Sequence, residues 1–127
     1  MKEPASQLIL LVEDDTLLAK ITKEAFEEHG YRVAQATSGI EALELIEKKH
    51  PDIVLSEVLL PKMDGFTLIE KVRKSKRPET PIVLVTSLGQ VHDIERGKAV
   101  GAVDYIIKSH TSLGDVVRRV EKTLQMM

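Results

Sequence analysis

Four short apolar runs in this chain each stop on a group that can do chemistry. Glu13 and Asp14 follow Leu8 to Val12, and Glu57 follows Ile53 to Ser56. Thr86 and Ser87 follow Ile82 to Val85, and Lys108 follows Val103 to Ile107. If the runs are neighbouring parallel strands, these groups meet at the carboxyl edge of the sheet, where open α/β sheets bind ligands. Clustered carboxylates repel one another unless a cation lies among them. Hard oxygen donors without His or Cys suit magnesium, which binds through one or two carboxylates and keeps several waters. Lys108 offers a point charge to a phosphoryl or carboxylate oxygen, and Thr86 a hydrogen bond to the same group. Magnesium, lysine and hydroxyl around one carboxylate make a site for phosphoryl transfer.

The elements that must hold these groups alternate. The runs have the length and residue types of strands buried on both faces. Between them the spacing predicts helices. Thr16 to His29 has apolar residues at Leu17, Leu18, Ile21, Ala25 and Phe26, with Asp15 as cap and Gly30 beyond its end. Tyr31 to Ala36 reads as a second strand. Ser38 to Glu41 has capping-box form and opens a helix to about Lys49, with Ile40, Leu43 and Ile46 inward. Pro61 and Asp64-Gly65 shape the loop after Glu57, and Gly65 to Lys74 forms a helix burying Phe66, Ile69 and Val72. Val91 to Val100 is a weaker helix, because Gly97 within it costs about 1 kcal/mol against alanine. Ser112 caps a last helix with a stripe of Leu113, Val116, Val117, Val120 and Leu124. Strand and helix alternate five times, which implies a doubly wound α/β fold, flavodoxin-like (βα)5, with parallel strands in the order 2-1-3-4-5.

Bulk composition narrows the function. The 127 residues suffice for one domain, residues 1–127, with residues 1–7 a flexible leader. A net charge of −2 provides no field for nucleic acid or membrane, and the four aromatics form no base-stacking surface. The basic run Lys71 to Arg77 falls at a helix carboxyl end, where cations are favoured. The chain has no cysteine, so disulfide and thiolate chemistry are excluded. The four histidines lack ligand spacing for zinc. No apolar run is long enough for a signal-peptide core or a membrane span.

The motifs LILLVEDD, LPKMDG, IVLVTS and GAVDYIIK, in this order and spacing, resemble the response-regulator receiver domain of two-component signalling, from about Leu8 to Leu124. The resemblance implies a cytoplasmic signalling switch and not an enzyme, with magnesium as its one cofactor. It implies that Asp14 and Glu13 hold the metal together with the acceptor at 57 and the backbone carbonyl of Leu59. It makes Thr86 the switch hydroxyl, Tyr105 the aromatic that reports the state, and Lys108 the partner of the phosphoryl oxygen. A histidine kinase or phosphotransfer protein would supply phosphate to an aspartate. The face from Val91 to Leu124 would meet an output domain, a downstream protein or a second copy.

Two positions depart from the pattern. The family accepts phosphate on aspartate, and here Glu57 stands there, with the same charge and one more methylene. An error of about 1 Å can cost a positioned reaction about a hundredfold. The longer arm instead reaches towards Lys108 and Thr86, where phosphoryl oxygens would lie, and imitates part of the phosphorylated state. Three readings stand: a natural receiver that works without phosphate, an engineered substitution that holds the active state, or a phosphorylated glutamate. Ser109 replaces the proline that often follows the lysine, so the Lys108–Ser109 bond is expected trans, or else cis and strained. A rival reading is a metal-dependent phosphoryl-transfer enzyme, a phosphatase or a Toprim-like protein, using the same carboxylates.

Overall fold

The computed structural model describes residues 3–127. A 3-10 turn at Pro4–Ser6 leads into β1 (Leu8–Val12), and Arg32 donates to the Ser6 carbonyl. There follow α1 (Thr16–Glu28), β2 (Arg32–Ala36), α2 (Gly39–Lys49), β3 (Ile53–Ser56) and α3 (Gly65–Arg73). The chain then forms β4 (Ile82–Thr86), α4 (Val91–Val100), β5 (Asp104–Ile107), a 3-10 turn at Lys108–His110, and α5 (Leu113–Gln125). All strands are parallel, in the order β2-β1-β3-β4-β5 expected from the alternation of strands and helices. Among the described residues no helix is long and apolar enough to cross a membrane.

Side chains alternate along a strand, so each central strand feeds two cores. Leu10, Val12, Val54, Ile82, Leu84 and Tyr105 pack with α2 and α3 on one face. Ile9, Leu11, Ile53, Leu55, Val83 and Ile106 pack with α1 and α5 on the other. One row of paired residues, Ala36–Val12–Ser56–Leu84–Tyr105, runs straight across the sheet. Glu13 and Glu57 are the first residues beyond that row, which fixes them as neighbours.

The caps form where the sequence places them. Asp15 accepts from the Leu18 amide, Ser38 from Glu41 and Ser112 from Asp115, and Asp64, expected only to shape the loop, also caps α3 by accepting from Thr67. Glu41 reaches back to the Thr37 amide at 2.7 Å, one residue earlier than a strict capping box. Two helix faces differ from expectation. Ile40 is 49% exposed, and α2 buries Gly39, Ala42 and Ile46. Leu17 and Ile21 are exposed, and α1 buries Ala19, Thr22 and Phe26. Hydrophobic spacing marks a stripe wider than the contact line, and the angle at which the helix meets the sheet selects the part that is covered.

The last turn of α3 carries a clamp that holds two loops. The Arg73 guanidinium donates to the carbonyls of Pro78 at 2.9 Å, Thr80 at 2.6 Å and Gly101 at 2.7 Å. The fork thereby ties the lead-in of β4 to the lead-in of β5. Arg73→Met keeps the stem and removes these donors. Since a bond to a charged group contributes about 1.5–3 kcal/mol, we expect a loss of about 2–3 kcal/mol, seen in urea unfolding as a lower midpoint with unchanged slope.

Candidate functional site

At the carboxyl edge the Lys108 ammonium lies between two buried carboxylates. Its Nζ donates to Glu57 Oε1 at 2.5 Å and to Glu13 Oε1 at 2.9 Å. The second oxygens are also bound. Glu57 Oε2 accepts from the amides of Val58 at 2.6 Å and Leu59 at 3.1 Å, and Glu13 Oε2 from the Asp15 amide at 3.2 Å. By strand alternation Glu13 continues the Leu11 face, Glu57 the Leu55 face and Lys108 the Ile106 face. All three therefore project towards α1 and α5. Beneath them an apolar cleft of about 230 Å3 runs between α1 and α5, walled by Leu18, Ile21, Leu55, Val85, Leu113 and Val116.

The backbone around Glu57 is held closely. The Glu57 amide extends the ladder to the Val12 carbonyl at 3.0 Å, and the Ser56 hydroxyl donates to the Glu57 carbonyl at 2.9 Å. Gly65 opens α3 hard against this segment: a Cβ there would lie 2.6 Å from the Glu57 carbonyl oxygen. The loop residues Pro61 and Gly65 thus shape the site and bring no reactive group to it.

Thr86 and Tyr105 belong to the opposite face, with Leu84. Thr86 is fully buried, and its hydroxyl accepts from the Leu88 amide at 3.4 Å. The Tyr105 phenol donates to the Leu88 carbonyl at 2.6 Å. A single loop residue therefore connects the two predicted switch side chains through its backbone. Sequence reading missed Leu88, because a main-chain link leaves no mark in residue type. The expectation that Glu57 reaches Thr86 as well as Lys108 is half met. It pairs with Lys108, while no hydrogen bond joins it to Thr86 among the described residues.

The other predicted positions lie at the rim. The Asp14 side chain is exposed and the Leu59 side chain is 58% exposed, next to the amide that binds Glu57. Among the described residues no three acidic, His or Cys side chains are gathered into a cation cage. The donors are nonetheless all oxygens, the chemistry a hard ion requires, and three carboxylates against one ammonium leave net negative charge here. The backbone of Lys108–Ser109 is trans, since no described peptide bond is cis, and the lysine opens a 3-10 turn.

Burial alone would lower the pKa of Lys108, but hydrogen bonds and charge from Glu57 and Glu13 outweigh it, and the ammonium holds its proton above the ordinary 10.5. Burial chiefly, then the charges of Asp93 and Glu57, pushes the Tyr105 phenol up to about 12.

A family model described as Response regulator receiver domain matches residues 9–121. The chain is 32% identical over 126 residues to "Probable transcriptional regulator ycf27" of Porphyra purpurea, covering 94% of this chain and 51% of that protein. It is 36% identical over 101 residues to the "DNA-binding dual master transcriptional regulator RpaA" of Synechocystis sp., covering 79% of this chain and 42% of that one. The chain spans about half the length of the curated relatives it matches. Among solved structures it is similar to the BeF3-activated N-terminal receiver domain of Klebsiella pneumoniae RstA, with TM-score 0.86, 32% identity and coverage of 93% and 98%. It is also similar to a CheY-like receiver domain protein from Methanospirillum hungatei, with TM-score 0.87, 31% identity and coverage of 94% of each chain.

Because the Lys108 pKa is raised on folding, the stability from its pairing is complete below the unfolded value of 10.5 and is lost as pH rises through the folded one. Lys108→Met should lower stability at neutral pH by about 1–3 kcal/mol, since two carboxylates lose their cation at a site still partly open to solvent. The difference between the two proteins should shrink above pH of about 10.5. Thermal midpoints measured from pH 7 to 11 check this. A gap that stays constant with pH would show that the ammonium charge is not what matters.

Proposed function

The chain belongs to the response regulator receiver domain family of two-component signalling, and on that premise we propose that Glu57 occupies the phospho-acceptor position and holds the domain in a phosphate-independent, active-like state. The observation that carries this is the commitment of both Glu57 oxygens to fixed donors: one to Lys108, the other to the amides of Val58 and Leu59. Both oxygens are held by these donors, which works against in-line attack on a phospho-donor and still leaves Oε1 a lone pair for a metal. The added methylene lets the carboxylate fold back onto its own backbone while still reaching the ammonium.

Domains of this family work with histidine kinases or phosphotransfer proteins upstream and with output domains downstream, and their role is signalling. In this chain Lys108 meets a resident carboxylate where it would meet a phosphoryl oxygen. The mimicry is partial, because a carboxylate bears one charge and a phosphoryl group nearly two. Magnesium, when bound, is held in this reading by Glu13, Asp14, Glu57 and the Leu59 carbonyl, and supplies charge that neutralises phosphoryl oxygens. Glu13 divides its carboxylate between the Asp15 amide and Lys108, so it orders the first loop and the lysine together. Tyr105 lies inward on the Leu88 carbonyl, which leaves the Val91–Leu124 face in one defined shape for a protein partner or a second copy. The proposed setting is the cytoplasm, shared with a kinase.

Intact mass after incubation with acetyl phosphate and magnesium tests the reading, with this chain and Glu57→Asp side by side. The aspartate variant should gain one phosphoryl mass and this chain none. A gain on this chain, traced to Glu57 by peptide mapping, would overturn the proposal.

A further inference from the structure

The glycine that makes α4 a poor helix in sequence has a steric task in the fold. Gly97 is the buried residue of α4. A Cβ there would lie 2.7 Å from Cδ2 of Tyr105, 3.2 Å from its Cε2 and 3.4 Å from Cδ1 of Leu84. No real Cβ comes so close to a ring carbon, so the Tyr105 ring fills the space that any other residue at 97 would claim. We infer that Gly97 is a positioning residue for Tyr105: its bare backbone is the seat that holds the ring inward, and side-chain size at 97 decides whether the output face hides or presents this tyrosine. The inference rests on the reading of Tyr105 as the aromatic that reports the state of the switch.

Something must move if the seat is filled, and the surroundings decide what. The helix is pinned at this point. The Gly97 carbonyl accepts from the Ala102 amide at 2.9 Å, and the Arg96 guanidinium lies 4.5 Å from the centroid of the Phe66 ring on α3. Leu84 is fully buried and has nowhere to go. Tyr105 is on β5, an edge strand, and one bond from its phenol to the Leu88 carbonyl holds its tip. Rotation about its first side-chain torsion takes the ring to solvent at the loss of that bond, whereas moving α4 uncovers Leu84 and breaks the link to Ala102. Departure of the ring also releases the Leu88 carbonyl, whose amide neighbour is bound to Thr86. The size of residue 97 thereby reaches the buried hydroxyl through the backbone of one residue, Leu88.

The test is Gly97→Ala with fluorotyrosine in place of tyrosine, read by fluorine NMR. Tyr31, the other tyrosine, packs edge-on against Phe26 at 6.2 Å between ring centroids and serves as an internal control. The Tyr105 signal should show a solvent isotope shift in heavy water that rises towards that of free fluorotyrosine, and the Tyr31 signal should not change. An unchanged Tyr105 signal would overturn the inference, because α4 would then have moved instead. Thermal midpoints supply a second reading that survives a poorly folded single variant. Gly97→Ala should lower the midpoint when Tyr105 is present and raise it in a Tyr105→Ala background, where only helix propensity remains. The same sign in both backgrounds would overturn it too. Neither measurement involves phosphoryl chemistry, so failure here leaves the account of Glu57 standing, and a phosphorylated Glu57 would leave the seat standing.

Discussion

The site depends on one ammonium held between two buried carboxylates. Lys108 arrives from the last strand, Glu13 from the first and Glu57 from the third, so the triad ties together the edge at which the sheet meets solvent. Without the lysine, two carboxylates beyond adjacent positions of β1 and β3 would repel one another in a poorly solvated place. With it, each carboxylate has one oxygen on the cation and the other on backbone amides, and no polar atom is left over.

The parallel sheet makes this possible because it consumes its strands on both faces. Period-two alternation directs Leu11, Leu55 and Ile106 towards α1 and α5, and the same alternation carried one step further directs Glu13, Glu57 and Lys108 there. Thr86 and Tyr105, on the other parity, go with Leu84 towards α3 and α4. The charged triad and the hydroxyl–phenol pair are thus two half-sites on opposite faces of the sheet. Glu57 meets Lys108 on its own side of the sheet, and its other oxygen is held on the amides of Val58 and Leu59.

The second half-site is built from loop backbone. Leu88 presents its amide to Thr86 and its carbonyl to Tyr105, so a shift in either side chain must move the same peptide segment. The loop suits such motion, since Leu88 itself is only partly covered. A region with few buried apolar contacts is where local rearrangement costs least. The Arg73 clamp, with three carbonyls on one guanidinium, keeps the opposite end of β4 and β5 fixed while this end is free to change.

Residue order alone determined much of this. Apolar runs ending on Glu13, Glu57, Thr86 and Lys108 set the strands and the site edge, and Asp15, Ser38 and Ser112 announced three helix starts, because caps and alternation are local rules. The family resemblance followed from the same motifs. Other features were decided only when the elements packed. Ile40, Leu17 and Ile21 have the spacing of buried residues yet face outward, since the helix axis and not the pattern chooses the covered strip. Residue type left open which donors Glu57 would meet, and packing set it between Lys108 and the amides of Val58 and Leu59. Gly97 looked like a defect in a helix, and only the approach of Tyr105 from a strand gave it a purpose. In each case the deciding partner comes from a different element, or from backbone whose direction residue type does not record.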